Sequence, residues 1–167
     1  LKKQPVKILF VCLGNICRSP LAEAIFNKRI LDLGLSDQLI ADSCGTGSYH
    51  IGENPDPRTL AVAKTHGIPI SHRCRQLHVN DFTGFDMILA MDESNKKNIL
   101  LKGGEAFSRK VWLMRAFDPE GGEQVPDPYR GRESEFEEVY QILDRSVSGL
   151  IRYLKKEMLT DEPGSEG

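Results

Sequence analysis

The chain predicts a small three-layer α/β fold. Short, nearly continuous apolar runs alternate along it with longer stretches of helical periodicity, and Gly and Pro fall between them as breakers. With 167 residues and 40% hydrophobic content it is long enough to fill one core and too short to expect two. Residues 1–160 are therefore read as a single domain. Residues 161–167 are read as a flexible tail, with fraying from Leu159 onward. In such a fold, right-handed crossovers gather the loops that leave the strand ends on one edge, and active residues are expected there.

Residues 6–11 form the first expected strand, mostly apolar as a parallel strand covered on both faces must be. Pro20 suits an early helical position, Ala22, Ile25, Phe26, Arg29 and Ile30 follow at helical spacing, and Gly34 stops the helix. Residues 39–43 read as a second strand, followed by a Gly/Ser-rich loop over 44–48 and then Tyr49-His50-Ile51-Gly52. Pro57 starts a helix that extends to His66, with Gly67 as its stop, and 75–80 is expected as a short helical turn. A third buried strand is predicted over 85–90, a helix over 93–101 and a fourth strand over 110–114. The stretch 117–132, rich in Pro, Gly and acidic residues, is long enough to be a functional loop. The last helix covers 134–156, because Phe136, Val139, Tyr140, Leu143, Val147, Leu150, Ile151 and Leu154 recur on one face.

Composition narrows the partners. A formal net charge of -2 gives no general pull toward nucleic acid or an anionic membrane, so an anionic substrate must be attracted locally. The two N-terminal lysines precede a short strand and not a long apolar core, so no signal peptide is expected, and no segment approaches the roughly 20 apolar residues of a membrane span. A cytoplasmic protein without membrane insertion is the simplest expectation. The four cysteines, Cys12, Cys17, Cys44 and Cys74, are read as free thiols, since a chain of this size needs no stapling and the gap between Cys12 and Cys17 lacks the short spacing of a zinc site.

Chemistry concentrates at Cys12-Leu13-Gly14-Asn15-Ile16-Cys17-Arg18-Ser19, between the first strand and the first helix. A short turn into a helix N-terminus leaves several amide donors aimed at one spot, which holds a tetrahedral oxyanion and favours a thiolate. Gly14 and Asn15 tolerate unusual backbone angles. Arg18 is a cation at the positive end of a helix, an arrangement that an anion compensates, and its planar fork grips two oxygens at once. A buried strand-end cysteine is ordinarily only a small hydrophobe, and Cys-x5-Arg is common by chance; the filling of the loop gives the spacing its weight. The Gly-x4-Gly-Lys-Ser/Thr order of a nucleotide-triphosphate loop is missing.

A thiolate and an arginine on such a nest suggest covalent phosphoryl transfer with Cys12 as nucleophile, which requires a proton for the leaving oxygen. Asp127, between Pro126 and Pro128, is the preferred acid, with Asp42, Asp56, Asp92 and Asp118 as competitors. Asp92 is also a good helix cap. Tyr49 and Tyr129 are candidate walls of a cleft, Ser43 a candidate donor to Asn15, and His66 either a helix-end residue or part of the site.

The run 11–20, together with Tyr49 to Gly52, His66-Gly67-Ile68, Phe85-Asp86, Met91 to Asn95 and Asp127-Pro128-Tyr129, resembles the low-molecular-weight protein tyrosine phosphatases, in order and approximate spacing, over nearly the whole chain. The resemblance implies a four-stranded parallel sheet of order 2-1-3-4. It implies Cys12 as nucleophile, Arg18 as phosphate binder, Asp127 as general acid and Ser19 as the hydroxyl that stabilises the leaving thiolate. Asn15, Ser43 and His66 match the network that orders the loop, with Asp92 also in support, and Cys17 matches the neighbour that forms a reversible disulfide with Cys12. Loop residues 13–19 hold the phosphate, while Ile16, Tyr49, His50, Tyr129 and Arg130 line the substrate cleft. No metal or cofactor is implied. The implied partners are tyrosine-phosphorylated proteins, together with a tyrosine kinase acting on them.

Where many members of that family carry a second tyrosine, this chain has Arg130, which predicts a preference for acidic residues flanking the phosphate; the acidic, Gly-containing stretch 118–125 bears on mobility near the acid. Three rivals share the loop. An arsenate reductase requires a relay of further cysteines, whereas 76–101 contains none and Cys74 stands alone. A phosphoarginine phosphatase is closer, but the apolar, β-branched Ile16 suits a phenyl ring better than a guanidinium. A non-catalytic phosphate-binding module has no need of Cys12, Arg18 and Asp127 together.

Overall fold

Four parallel strands build one sheet of order β2-β1-β3-β4 in the computed structural model, which describes residues 4–159. The strands are β1 (Val6–Cys12), β2 (Leu39–Gly45), β3 (Met87–Ala90) and β4 (Val111–Leu113). The helices are α1 (Arg18–Asp32), α2 (Pro57–Thr65), α3 (Asp81–Gly84), α4 (Glu93–Gly103) and α5 (Glu133–Glu157), with 3₁₀ turns at Glu105–Lys110 and Met114–Phe117. The expected tail 161–167 lies outside the described residues.

The continuous apolar character of β1 follows from its central place. Ile8, Phe10 and Cys12 face the layer formed by α1, α2 and α5, whereas Leu9 and Val11 face α3 and α4. Both faces are covered, so neither alternate set of side chains can be polar. On the first side, the long stripe of α5, including Phe136, Leu143, Leu150 and Leu154, closes over Ile25 and Phe26 of α1, and Phe10 meets Phe26 edge to face at 5.6 Å. On the other, Phe82 of α3 and Ile99 of α4 pack on Leu9, Ile88 and Ala90. No helix of the described residues is long and apolar enough to cross a membrane.

The strands that carry the site run further than expected. β1 reaches Cys12 and β2 reaches Gly45 because those two residues are partners in register. Gly45 is required there, since a Cβ would lie 2.6 Å from the Leu13 carbonyl oxygen. The helical turn expected over 75–80 is absent. Arg75 and Leu77 extend the sheet instead: Gly45 donates its N–H to the Arg75 carbonyl at 2.9 Å, and Leu77 donates back to the Gly45 carbonyl at 2.7 Å. The helix starts only at Asp81, whose side chain accepts from the His78 N–H. The fourth strand is shorter than expected, because Met114 already belongs to a 3₁₀ turn. That turn ends at Phe117, whose carbonyl lies against Gly149 in the middle of α5, where a Cβ has no room.

Candidate active site

The C-terminal ends of β1, β2 and β3 deliver the site. β1 ends at Cys12, α1 begins at Arg18, and the five residues between them wrap a turn in which Asn15, Ile16 and Cys17 are buried and Leu13 is exposed. The N–H groups of Leu13 through Cys17 meet no backbone acceptor among the described residues, and Cys17 at the N-cap supplies no side-chain cap. These are the unpaired donors that a helix start offers to an anion. The loop is braced from outside: Thr46 and Gly47 donate to the Cys12 and Leu13 carbonyls, Asp56 to the Ile16 carbonyl at 2.8 Å, and the Cys74 thiol to the Asn15 carbonyl at 2.8 Å.

Asn15 holds the turn in its unusual shape. Of the two residues expected to bend the loop, Asn15 takes the left-handed conformation, with φ of 57°, and Gly14 does not. The side chain is fully buried and uses both ends of its amide. Its nitrogen donates to Ser19 Oγ at 2.8 Å and Ser43 Oγ at 3.0 Å, and its oxygen accepts from the Arg75 N–H at 3.0 Å and from His72 Nε2 at 2.7 Å. The expectation for Ser43 is met in contact but reversed in direction, since Asn15 is the donor.

His72, and not His66, belongs to this network. His72 Nε2 also lies 3.3 Å from Ser43 Oγ, and its Nδ1 is 3.2 Å from Glu23 Oε1 in the first helix. His66 is instead the C-cap residue of α2; its ring stacks on Tyr140 at 3.7 Å, and its Nε2 meets the Glu137 carboxylate at 2.8 Å. The Gly67 behind His66 marks a helix end, and that local duty is the one the residue performs. His72, Glu23, Cys74 and Arg75 are the members missed in sequence, where they fall in no periodic pattern that ties them to Asn15.

Ser19 connects Asn15 to the sulfur. Its hydroxyl accepts from Asn15, so its single proton has two candidate acceptors: Cys12 Sγ at 3.0 Å and the Cys44 carbonyl at 3.3 Å. A hydroxyl fixed in this way can turn toward sulfur when sulfur carries charge. Burial first, then Asp56, pushes Cys17 up to about 12, burial brings Cys74 to about 11, and burial drives Cys44 upward as well.

Arg18 is 2% exposed. Its Nη1 donates to Asp92 Oδ2 at 2.7 Å and to the Val125 carbonyl at 3.0 Å, and its Nη2 lies 3.7 Å from Asp127 Oδ2. Burial works against its charge, but the Cys12 sulfur, Asp92 and Asp127 outweigh that and raise its pKa. Asp92 serves both readings given to it, because its other oxygen caps α4 by accepting from the Asn95 N–H at 2.7 Å.

None of the competitors for the acid lines the cavity that holds Cys12, and each is held in an ion pair. Asp42 pairs with Arg75, Asp56 with Arg58, Asp92 with Arg18, and Asp118 with Arg115 and Arg145. Asp127 accepts the Tyr129 N–H at 3.1 Å and faces the same cavity as Cys12. Its loop is clamped by Arg58, which donates to the Tyr129 carbonyl at 2.8 Å and the Gly131 carbonyl at 3.3 Å while its guanidinium lies 4.5 Å from the Phe136 ring. Asp56 holds Arg58 in turn and reaches back to Ile16, so one ion pair joins the sulfur loop to the acid loop.

The cavity measures about 590 Å³. Its lining runs from the buried Cys12, Ile16, Cys17 and Arg18 to the exposed Leu13, Tyr49, Asp127 and Tyr129, with Gly14, His50 and Arg130 completing it. His50 is tied to Glu53 and stands 6.5 Å from the Tyr129 ring.

A sulfur at the base of an unpaired-amide loop, with a buried arginine beside it and a carboxylate at the opening, defines a cysteine-dependent phosphate-handling protein on a doubly covered parallel sheet. The family model of low molecular weight phosphotyrosine protein phosphatase matches residues 7–160, and the chain belongs to that family. The low molecular weight phosphotyrosine protein phosphatase of Sus scrofa is 44% identical over 136 residues, covering 80% of this chain and 86% of its own. The crystal structure of a protein tyrosine phosphatase from Entamoeba histolytica, with Hepes in the active site, superimposes with a TM-score of 0.89 at 41% identity, covering 92% of this chain and 99% of that one. The YwlE arginine phosphatase, in a mutant whose active-site serine is phosphorylated, is similar at a TM-score of 0.84 and 25% identity, covering 92% and 98%.

Proposed function

We propose that this protein hydrolyses phosphotyrosine in proteins through a cysteinyl-phosphate intermediate. The observation that carries the reading is the single cavity shared by Cys12, Arg18 and Asp127. Cys12 attacks phosphorus in line, the loop amides and Arg18 hold the three equatorial oxygens, and Asp127 protonates the departing tyrosine oxygen. The resulting carboxylate then activates water against the cysteinyl phosphate, and Ser19 steadies the sulfur as it leaves. The depth between Leu13, Ile16, Tyr49 and Tyr129 suits an aromatic ring, and Ile16, 9% exposed at the wall, offers nothing polar to a guanidinium. This favours phosphotyrosine over phosphoarginine.

Residues 1–160 act as one catalytic domain in this reading, in a reducing compartment that suits four unpaired cysteines, with the cytoplasm as the simplest choice. Its partners are tyrosine-phosphorylated proteins and the kinase that makes them. Cys17 is the thiol that closes a reversible disulfide onto an oxidised Cys12. Arg130 on the rim favours acidic flanks, and an Arg130→Tyr variant assayed on acidic and neutral phosphopeptides should lose that preference. The decisive experiment is release of inorganic phosphate from phosphotyrosine peptides by the purified protein. Cys12→Ser should abolish turnover while phosphate still binds, and Asp127→Ala should hurt poor leaving groups far more than activated aryl phosphates. Normal turnover by Cys12→Ser refutes the mechanism.

A further inference from the structure

The apolar wall of the catalytic cavity has a second side. Leu13 and Tyr49, which line the cavity with Cys12, also line a separate hollow of about 440 Å³ whose other members include Leu77, Asn98, Leu101 and Lys102. Leu77 is buried beneath it, whereas Leu13, Tyr49 and Leu101 are exposed at 41%, 73% and 74%. One exposed apolar side chain is ordinary, but three that converge on a concavity beside a reaction centre make a contact surface. Tyr49 is set in place by Gly47, where a Cβ would come within 2.5 Å of the Tyr49 ring.

The hollow also has a charge. Lys102, in the last turn of α4, forms no ion pair or hydrogen bond among the described residues, and the side-chain amide of Asn98 one turn earlier is likewise unengaged there. The chain as a whole is slightly acidic, so attraction of an anionic segment must come from such local cations. A phosphotyrosine ring resting on the cavity side of Leu13 and Tyr49 belongs to a polypeptide that has to leave over the rim, and extended chain advances only ~3.3–3.6 Å per residue. Its neighbouring residues meet the other side of the shared wall.

We propose that this hollow is a subsite for the substrate polypeptide, which takes an apolar side chain against Leu77 and Leu101 and an adjacent carboxylate at Lys102. The proposal rests on the phosphotyrosine reading of the neighbouring cavity and adds to it a substrate class: phosphotyrosine segments that carry an apolar and an acidic residue close to the phosphate.

The test compares the wild-type protein with Lys102→Glu and Leu101→Ser on three substrates: p-nitrophenyl phosphate, a phosphotyrosine peptide with Leu and Glu flanks, and the same peptide with Lys for Glu. Lys102→Glu should lower kcat/KM for the Glu peptide by roughly three- to tenfold, as expected for reversing one exposed charge contact. It should raise the value for the Lys peptide and leave p-nitrophenyl phosphate unchanged, and the discrimination should shrink at 0.5 M salt, where the screening length is only a few ångströms. Leu101→Ser should weaken both peptides equally. In a Cys12→Ser background, fluorescence anisotropy should rank the same peptides in the same order. Equal responses of both peptides and p-nitrophenyl phosphate, or no response to either variant, would overturn the subsite. If no substrate is turned over yet the anisotropy ranking still depends on Lys102, the phosphatase reading fails and the subsite stands.

Discussion

Replacing Asp92 by asparagine removes a charge from beside Arg18 while the start of α4 stays capped. Asparagine is as good an N-cap as aspartate, so the bond to the Asn95 N–H survives and the two duties of Asp92 are separated. At 2.7 Å and an effective dielectric of about 20, the attraction between the two charges is about 6 kcal/mol before desolvation is counted. Breaking such a pair from one side typically costs about 3–5 kcal/mol, and with the amide oxygen engaged in the cap its NH2 faces the guanidinium donor to donor and returns nothing. The expected loss is about 3–5 kcal/mol, or a fall in Tm of roughly 6–20 °C for a chain of this length. Arg18 then has Asp127, now 3.7 Å away, as its nearest carboxylate. Swinging toward it draws the guanidinium off the equatorial oxygens and ties up the acid, so kcat/KM on an aryl phosphate should drop by roughly 30-fold or more, equivalent to about 2 kcal/mol of transition-state binding. Asp92→Ala should lose about 1 kcal/mol more from the missing cap. Calorimetry and steady-state kinetics read the two effects separately. An asparagine variant that melts within 1 °C of the parent and turns over within a factor of two would show that Asp92 does not hold Arg18 in place.

Three further outcomes follow from the same geometry. His72→Ala should lower kcat because the oxygen of Asn15 loses one of its two donors, whereas His66→Ala should cost about 1 kcal/mol of stability through the Tyr140 stack and leave kcat unchanged; the reverse result on paired kinetics and melting curves would restore His66 to the site. Arg58→Met keeps the packing on Phe136 but drops the donors to Tyr129 and Gly131, so turnover of phenyl phosphate should fall about tenfold with little change for p-nitrophenyl phosphate, part of the 10²–10⁴ that a placed acid supplies. Asp118 has its pKa lowered, since Arg145, the Glu120 amide and Arg115 together outweigh its burial. A carboxylate depressed on folding stabilises in full above its unfolded value of about 3.9 and loses that contribution as pH falls through the folded one. Asp118→Asn should therefore cost about 2 kcal/mol in urea unfolding at pH 7, a difference that starts to shrink as pH falls below about 4 and vanishes only below the folded pKa; a pH-independent difference would contradict the ion-pair account.

The periodic parts of the chain announced themselves. β1, α1 and α5 follow from apolar patterns that only one environment satisfies, and the Cys12-to-Ser19 loop from residue types that a nest of amides requires. The irregular stretch between α2 and α3 did not. There Arg75 and Leu77 pair with Gly45, a contact about thirty residues away in sequence that no local pattern encodes, and a helical turn was the wrong expectation. His66 drew attention because Gly67 follows it, yet that same glycine explains the residue as a helix end. His72 carries no comparable local mark, and its role depends on Asn15 being 57 residues away along the chain. Asp127 could be preferred in sequence but separated from its competitors only once the cavity of Cys12 is seen to be lined by it and by none of them.

Gly149 gives the fold an unexpected lever. Exchanging a mid-helix glycine for alanine ordinarily stabilises a protein by about 1 kcal/mol, and an engineer surveying α5 would choose it early. Here the added methyl would strike the Phe117 carbonyl, at the root of the segment that carries Asp127. A substitution on the far layer of the molecule, touching no reacting atom, would thus press on the segment that leads to Asp127, the proposed proton donor, and thermal hardening of this helix has to be sought at other positions.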